Sequence, residues 1–285
     1  MSYPSITAAG FDSAQYSYRT TGGVLAGVDN LVVTTSNGLS SPMGRLKGVV
    51  TSDVTLPTPV EVAINGDDSR LATFQFDSTE PVAFDIDVAI SDSAFKTRIE
   101  ATASVTSGEA VMVPYGLTQV VAPGFILLLS GKAKSAASGT AGSAGFRHLL
   151  LFNVEFRDLG AGFNFQGAAT RRYRVTANAS DTLPDGRTVA SVFPAVPGGQ
   201  MLGLEFTTVK RCTFASFMGD NTITSPVLAQ KPISTATTIA TLETTGYALD
   251  TVTAVDTTTP YGCTLTGTPG AGKRAVVRYQ FENWE

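Results

Sequence analysis

The stretch VAFDIDVAI, residues 82–90, places an apolar residue at every even position and a small or acidic residue at every odd position. Successive side chains of a β-strand point to opposite faces of a sheet, so this pattern predicts a strand with one buried face and one solvated face. The same alternation occurs in the segments 74–77, 152–157 and 173–176. The chain is therefore expected to be rich in half-buried strands.

Turn-forming residues separate these strands at short intervals. Examples are NGDD at 65–68, PDG at 184–186 and PG at 269–270. No amphipathic helix of the length found in parallel β/α folds lies between the strands. We predict an all-β fold, an antiparallel β-sandwich or barrel with at most one short helix; residues 91–103 fit either that helix or another strand.

Two segments interrupt the strand pattern. Residues 135–145, SAASGTAGSAG, contain no side chain that could anchor in a core, and they predict a long loop between two strands. Residues 193–200, FPAVPGGQ, carry two prolines and two glycines and predict a boundary. The expected organisation is a main β-sandwich or barrel domain at 1–195, with an N-terminal arm and the long loop, followed by a smaller Thr-rich β domain at 198–285.

Composition excludes several classes of function. The 285 residues include 20 Lys and Arg against 24 Asp and Glu, a net charge of −4, which disfavours a protein that binds duplex DNA by neutralising its phosphates. A single His and two Cys are too few for the common zinc sites, and they disfavour a catalytic Cys–His pair. We expect a protein that is not an enzyme and that holds no cofactor.

The start of the chain, MSYPS, has neither a basic segment nor an apolar core, so no signal peptide is expected. The most apolar stretch, GFILLLS at 124–130, is far too short to cross a bilayer and predicts a strand buried on both faces. We expect no membrane association.

Cys212 and Cys263 are predicted to be buried thiols in a reducing cytosol, with a disulfide as the alternative.

The string GTPGAGKR at 267–274 has most of the spacing of a phosphate-binding loop. However, Arg274 stands where that motif needs Ser or Thr, and the next residues predict a strand rather than a helix. We therefore predict a glycine-rich hairpin turn that joins residues 263–265 to residues 276–279.

Three groups of polar residues are candidates for a functional surface. Asp85 and Asp87 lie on one side of their strand, where an ordinary solvent face is favoured over a carboxylate pair for glycoside hydrolysis. His148 is predicted to be a surface or interface residue. The densest positive cluster is expected to contact carboxylates of a neighbouring strand or subunit rather than nucleic acid, and it consists of Arg147, Arg171, Arg172 and Arg174.

Taken together, these features resemble the tail tube proteins of tailed bacteriophages. The features are the signal-free start, the low-charge strands rich in Thr, Ser, Gly and Ala, the small-side-chain loop at 135–145 and the Phe-rich region 146–178. The resemblance centres on residues 71–189. It implies a β-sandwich or barrel that stacks in rings, with strands that continue across subunits around a central channel.

The resemblance also implies roles for individual residues. Asp85, Asp87 and Glu155 are candidates for acids that line the channel, where they would repel phosphate so that DNA passes as non-specific cargo. The partners would be copies of the chain and other virion proteins, with the arginine cluster between subunits. The location would be the virion, after synthesis in the host cytoplasm.

Other functions stay open at this point. The additional segment from about residue 198 and an arm at 2–21 also suit a capsid decoration or cement protein. A β-rich module that binds glycans or a host surface is a further alternative, as is a carboxylate hydrolase. A tube subunit should polymerise by itself, whereas a cement protein should be monomeric or trimeric until it meets a shell.

Overall fold

The computed structural model describes residues 6–8, 11, 13–19, 25–26, 41–51, 60–65, 70–76, 81–89, 95–96, 99, 105–107, 110–112, 124–135, 145–162, 170–193 and 199–284. Most of these residues lie in β-strands, and all strand pairs are antiparallel, which confirms the predicted all-β fold. Helix is scarce among them: α1 spans Val189–Val192, and residues 95, 96 and 99 are helical.

The strands are β1 (Ile6–Ala8), β2 (Ser13–Arg19), β3 (Leu25–Ala26), β4 (Ser41–Pro42), β5 (Gly44–Leu46), β6 (Val49–Thr51), β7 (Val60–Asn65), β8 (Arg70–Phe76), β9 (Val82–Val88), β10 (Val105–Ser107), β11 (Ala110–Met112), β12 (Phe125–Ser135), β13 (Phe146–Gly162), β14 (Thr170–Ala177), β15 (Gly203–Thr208), β16 (Arg211–Met218), β17 (Thr238–Leu242), β18 (Ala248–Asp250), β19 (Val252–Asp256), β20 (Gly262–Leu265) and β21 (Arg274–Phe281). Short 3-10 turns at Thr235–Thr237 and Glu243–Thr245 flank β17.

The main sheet has ten strands. Seven follow each other in the order β3-β2-β12-β13-β14-β9-β6, while β1 pairs with β12, β5 with β2 and β15 with β13. The long strand β13 has β12 on one side, and on its other side it pairs first with β15 and then with β14. Strands β14 and β15 thus lie end to end along one edge of β13.

The main sheet curls around its own hydrophobic core. Strands β2 and β9 are separated by three other strands in the sheet, yet Tyr16 of β2 and Ile86 of β9 belong to the same buried cluster. Phe95 belongs to the same cluster, with its ring centroid 4.5 Å from that of Tyr16 and 5.1 Å from that of Phe156. The aromatic rings meet at tilted or edge-on angles, which are the preferred geometries for such pairs.

A second sheet follows in the C-terminal part of the chain, with the strand order β18-β17-β21-β16-β4. It packs on the outer face of the main sheet, where Ile126 and Leu128 of β12 share a buried cluster with Phe214 of β16 and Val276 of β21. The two sheets therefore form a sandwich over this part of the molecule. A third cluster, under the strand pair β19–β20, includes Leu265, Val277 and Tyr279.

One irregularity in β13 decides which side chains reach water. Phe125 pairs with Val154 and Leu127 pairs with Leu151, so β13 contains one residue more than β12 between these positions. Phe152 consequently faces the second cluster, whereas Val154 faces the first. The alternation that the sequence predicts holds from Val154 to Arg157, and the bulge moves only Phe152 to the opposite face.

Contacts cross the predicted boundary at 195–198. Strand β15 lies beyond it but pairs with β13 of the main sheet, and β4 lies before it but pairs with β16 of the C-terminal sheet. Strands β12 and β13, which flank the predicted loop at 135–145, pair with each other; residues 136–144 lie outside the described residues. In the described part of the chain, no helix is long and apolar enough to cross a membrane.

Candidate functional site

The outer face of the main sheet changes character along its length. Where the C-terminal sheet covers it, its side chains are apolar, as in Leu128 and Phe152. Beyond the bulge the same face is uncovered and charged. We call this uncovered part the charged face; it carries three acids and three arginines, which are Asp85, Asp87, Glu155, Arg157, Arg172 and Arg174.

Strand register places these charges opposite one another. Strand β9 alternates buried apolar residues with Asp85 and Asp87, as predicted from residues 82–90. In the pairing of β14 with β9, Arg174 stands opposite Asp85 and Arg172 stands opposite Asp87. Opposite charges on directly facing residues of neighbouring strands attract, so the register itself brings the ion pairs together.

Both pairs are bidentate. Arg172 donates from Nε to Oδ1 of Asp87 at 2.7 Å and from Nη2 to Oδ2 at 3.0 Å. Arg174 donates through Nε and Nη2 to both carboxylate oxygens of Asp85, the second at 3.3 Å. The hydrogen bond from Arg172 lowers the pKa of Asp87. These carboxylates are held by fork-shaped donors in a fixed geometry, although such exposed pairs add little to stability.

The other two arginines of the predicted cluster lie elsewhere. Arg171 is on the opposite face of β14, where its guanidinium contacts Asp158, whose other carboxylate oxygen accepts from the backbone N–H of Gly160 at 2.8 Å. Arg147, at the far end of β13, donates to Glu205 of β15 at 2.6 and 2.8 Å. The structure thus separates the four arginines into three places, and each pairs with a carboxylate of its own chain.

The three predicted channel acids do share the charged face. Asp85 and Asp87 are paired, while Glu155 and the nearby Arg157 are exposed and form no ion pair with any described residue. Three acids against three arginines make this face charge-balanced rather than acidic. Whether it lines a channel, and whether any of the arginines contacts another subunit, stays a prediction.

The glycine-rich string at 267–274 is not a hairpin turn, so that prediction is wrong. Strand β20 pairs with β19, whereas β21 pairs with β16 and β17. The loop between β20 and β21 is held by side-chain oxygens of the protein: Gly267 N–H by Asp250, Gly270 N–H by Thr244 and Ala271 N–H by Asn221. These amides already have acceptors, so they are not available to a phosphate.

His148 is not at the surface, which corrects a second expectation. Its exposed fraction is 0%. Its Nδ1 lies 2.8 Å from Oγ of Ser130 and its Nε2 lies 2.7 Å from Oγ1 of Thr208. Burial lowers the pKa of His148 to about 4. The signal for this burial was present in the sequence, because His148 has the same parity as Leu150 and Phe152 in a strand that is apolar on both faces.

Cys212 and Cys263 are free and buried, as predicted, and burial raises the pKa of each thiol to about 12. Among the described residues, no three His, Cys, Asp or Glu side chains are grouped so that they could hold a metal ion.

No family model, curated protein or solved structure matches the chain. The function is therefore inferred from the surfaces and strand edges of the fold.

Proposed function

We propose that the chain is a structural subunit that assembles with copies of itself, as a tail tube protein in the virion of a tailed bacteriophage. The observation that carries the proposal is the outer edge of β15. This strand pairs with β13 on one side, and no described strand pairs with its other side. An unpaired strand edge is a template for a strand of another chain.

The direction of the free peptide groups follows from the register. Phe152 N–H donates to the carbonyl of Leu202. In an antiparallel strand pair every second pair of facing residues is hydrogen-bonded, so the facing pairs two, four and six residues along β13 and β15 are bonded in the same way. The peptide groups of Gly203, Glu205 and Thr207 therefore point away from β13. The side chains of Glu205 and Thr207 are exposed beside them, so this edge is accessible.

The charged face suits a channel lining in this proposal. The charge of Arg172 and of Arg174 is neutralised by a bidentate carboxylate, so a DNA phosphate that approaches either guanidinium is also repelled by that carboxylate. Two of the three arginines of this lining are neutralised in this way and the third, Arg157, lies on the same face as Glu155, which forms no ion pair with any described residue, so the lining holds DNA weakly. DNA could then pass as non-specific cargo even though the face is charge-balanced rather than acidic.

A single substitution tests the role of the β15 edge. Thr207→Pro removes an outward N–H and leaves the hydrogen bonds to β13 in place, because residue 207 does not donate to β13. Thr207→Ala is the matched control, since it shortens the same exposed side chain and keeps the N–H. Light-scattering mass over a concentration series should show association for the wild type and Thr207→Ala, and loss of association for Thr207→Pro.

Two results would contradict the proposal in different ways. A wild-type chain that stays monomeric at high concentration would refute self-assembly. Association that is equal in Thr207→Pro and Thr207→Ala would leave self-assembly in place and refute the β15 edge as its contact. Circular dichroism of both variants establishes that each keeps its strand content.

A further inference from the structure

The only histidine of the chain lies at the centre of a stack of five side chains. The ring centroid of His148 is 4.9 Å from that of Phe206 and 6.5 Å from that of Phe146, with the rings nearly parallel in both cases. A guanidinium closes each end of the stack: the Cζ of Arg211 lies 4.8 Å from the centroid of Phe146, and that of Arg278 lies 5.8 Å from the centroid of Phe206.

The stack joins the two sheets. Phe146 and His148 belong to β13 and Phe206 belongs to β15, all in the main sheet, whereas Arg211 begins β16 and Arg278 lies in β21 of the C-terminal sheet. The two arginines hold the C-terminal sheet against the aromatic rings of the main sheet through cation–π contacts. Any change in the charge of the central ring acts directly on this contact.

The hydrogen bonds around the imidazole run in one direction. The hydroxyl of Thr208 donates to the carbonyl of Lys210, so its oxygen is left to accept from Nε2–H of His148. Nδ1 then has no proton and accepts from the hydroxyl of Ser130. The geometry therefore assigns the neutral Nε2–H tautomer to His148.

Protonation disturbs this arrangement in two ways. A proton from solvent at Nδ1 turns an acceptor into a donor, and the Ser130 hydroxyl must then rotate and lose its acceptor. The new charge also faces Arg211 and Arg278, and both charged side chains that act on the ring are cations. Of the other groups packed against the ring, Ser130 and Thr208 are neutral hydroxyls, and only the Lys210 carbonyl favours the imidazolium.

We propose that His148 is an acid-sensitive latch, whose protonation releases strands β16 and β21 of the C-terminal sheet from the β13–β15 part of the main sheet. This inference does not depend on self-assembly. In the closed form the pKa of His148 is about 4, against 6.5 for an exposed imidazole. The open form therefore binds the proton more tightly than the closed form. As a result, the equilibrium constant for opening increases by roughly 30-fold when the pH falls from 7.5 to 5.

Two measurements on the full-length chain test the latch. A long-range ¹⁵N–¹H spectrum contains one imidazole, so its tautomer and titration can be followed without assignment. We expect the Nε2–H tautomer and a pKa well below 5. Hydrogen exchange, corrected for the intrinsic effect of pH, should show about 30-fold more opening of β15 and β16 amides at pH 5 than at pH 7.5.

His148→Gln supplies the control, because an amide can still reach both hydroxyls but does not titrate; the opening of its β15 and β16 amides should be independent of pH. The amides of β9 and β14 report on global unfolding. The proposal is overturned if His148 titrates near 6.5, if it is the Nδ1–H tautomer, if His148→Gln keeps the pH dependence, or if β9 and β14 open together with the latch. Should His148→Gln fail to fold, the wild-type spectrum and exchange data still decide.

Discussion

The buried ion pair between Asp185 and Arg187 gives the sharpest prediction on stability. The two side chains are 0% and 1% exposed, and the guanidinium Nε donates to the carboxylate. Both Nη atoms of Arg187 are buried without a hydrogen-bond partner. The second cation near the carboxylate is Arg274, whose Nη1 lies 3.8 Å from Oδ2 of Asp185 and donates to its carbonyl at 3.0 Å.

Removal of one member of this pair should be far more harmful than removal of both. In Arg187→Met the buried carboxylate keeps the residue 187 N–H but, of its two cations, only the more distant Arg274, and breaking a buried pair in this way costs about 3 kcal/mol of unfolding free energy. In Asp185→Asn/Arg187→Met the buried charges disappear together with the unsatisfied Nη donors, while the Asn side chain can still accept from the residue 187 N–H. We expect this double variant to lie within about 1 kcal/mol of the wild type or above it.

Equilibrium urea unfolding measures these free energies. The fluorescence of Trp284, the only tryptophan, which packs on Phe281, and far-ultraviolet circular dichroism provide two independent probes. The comparison requires coincident transitions and equal m-values for the three proteins. A wild-type stability for Arg187→Met, or a double variant as unstable as the single one, would refute the reasoning.

Two further predictions concern other polar groups. Asp158→Asn should lower the unfolding free energy by about 2 kcal/mol, because the carboxylate of Asp158 is only 6% exposed and binds both Arg171 and a backbone N–H. Asp87→Asn on the charged face should lower it by less, because its ion pair is exposed. Urea unfolding of both variants measures the difference, and equal losses of unfolding free energy would contradict this prediction. Cys212 and Cys263, buried and with thiol pKa values raised to about 12, should react with a thiol reagent only in denaturant, and rapid labelling of the native chain at pH 8 would contradict their burial.

The alternation of polar and apolar residues predicted individual strands well. Residues 82–90 predicted both the strand β9 and the face on which Asp85 and Asp87 lie. Local pattern suffices here because the period of two is a property of each strand by itself. The pairing of these acids with Arg172 and Arg174 follows instead from the register with β14.

The features that the sequence did not predict depend on contacts between distant segments. The bulge in β13, which separates Phe152 from Val154, arises from the register with β12. The burial of His148 requires β15 and the C-terminal sheet, more than fifty residues later in the chain. The error at residues 262–281 has the same origin, since β20 and β21 are neighbours in sequence but pair with different strands. A pattern within one strand contains no information on its partner.

The most direct test of the central claim is negative-stain electron microscopy of the purified chain over a concentration series, with light-scattering mass on the same samples. The proposed function predicts rings or stacked tubes with a central hole, and a mass that increases with concentration. Monomers or compact trimers at every concentration would contradict it.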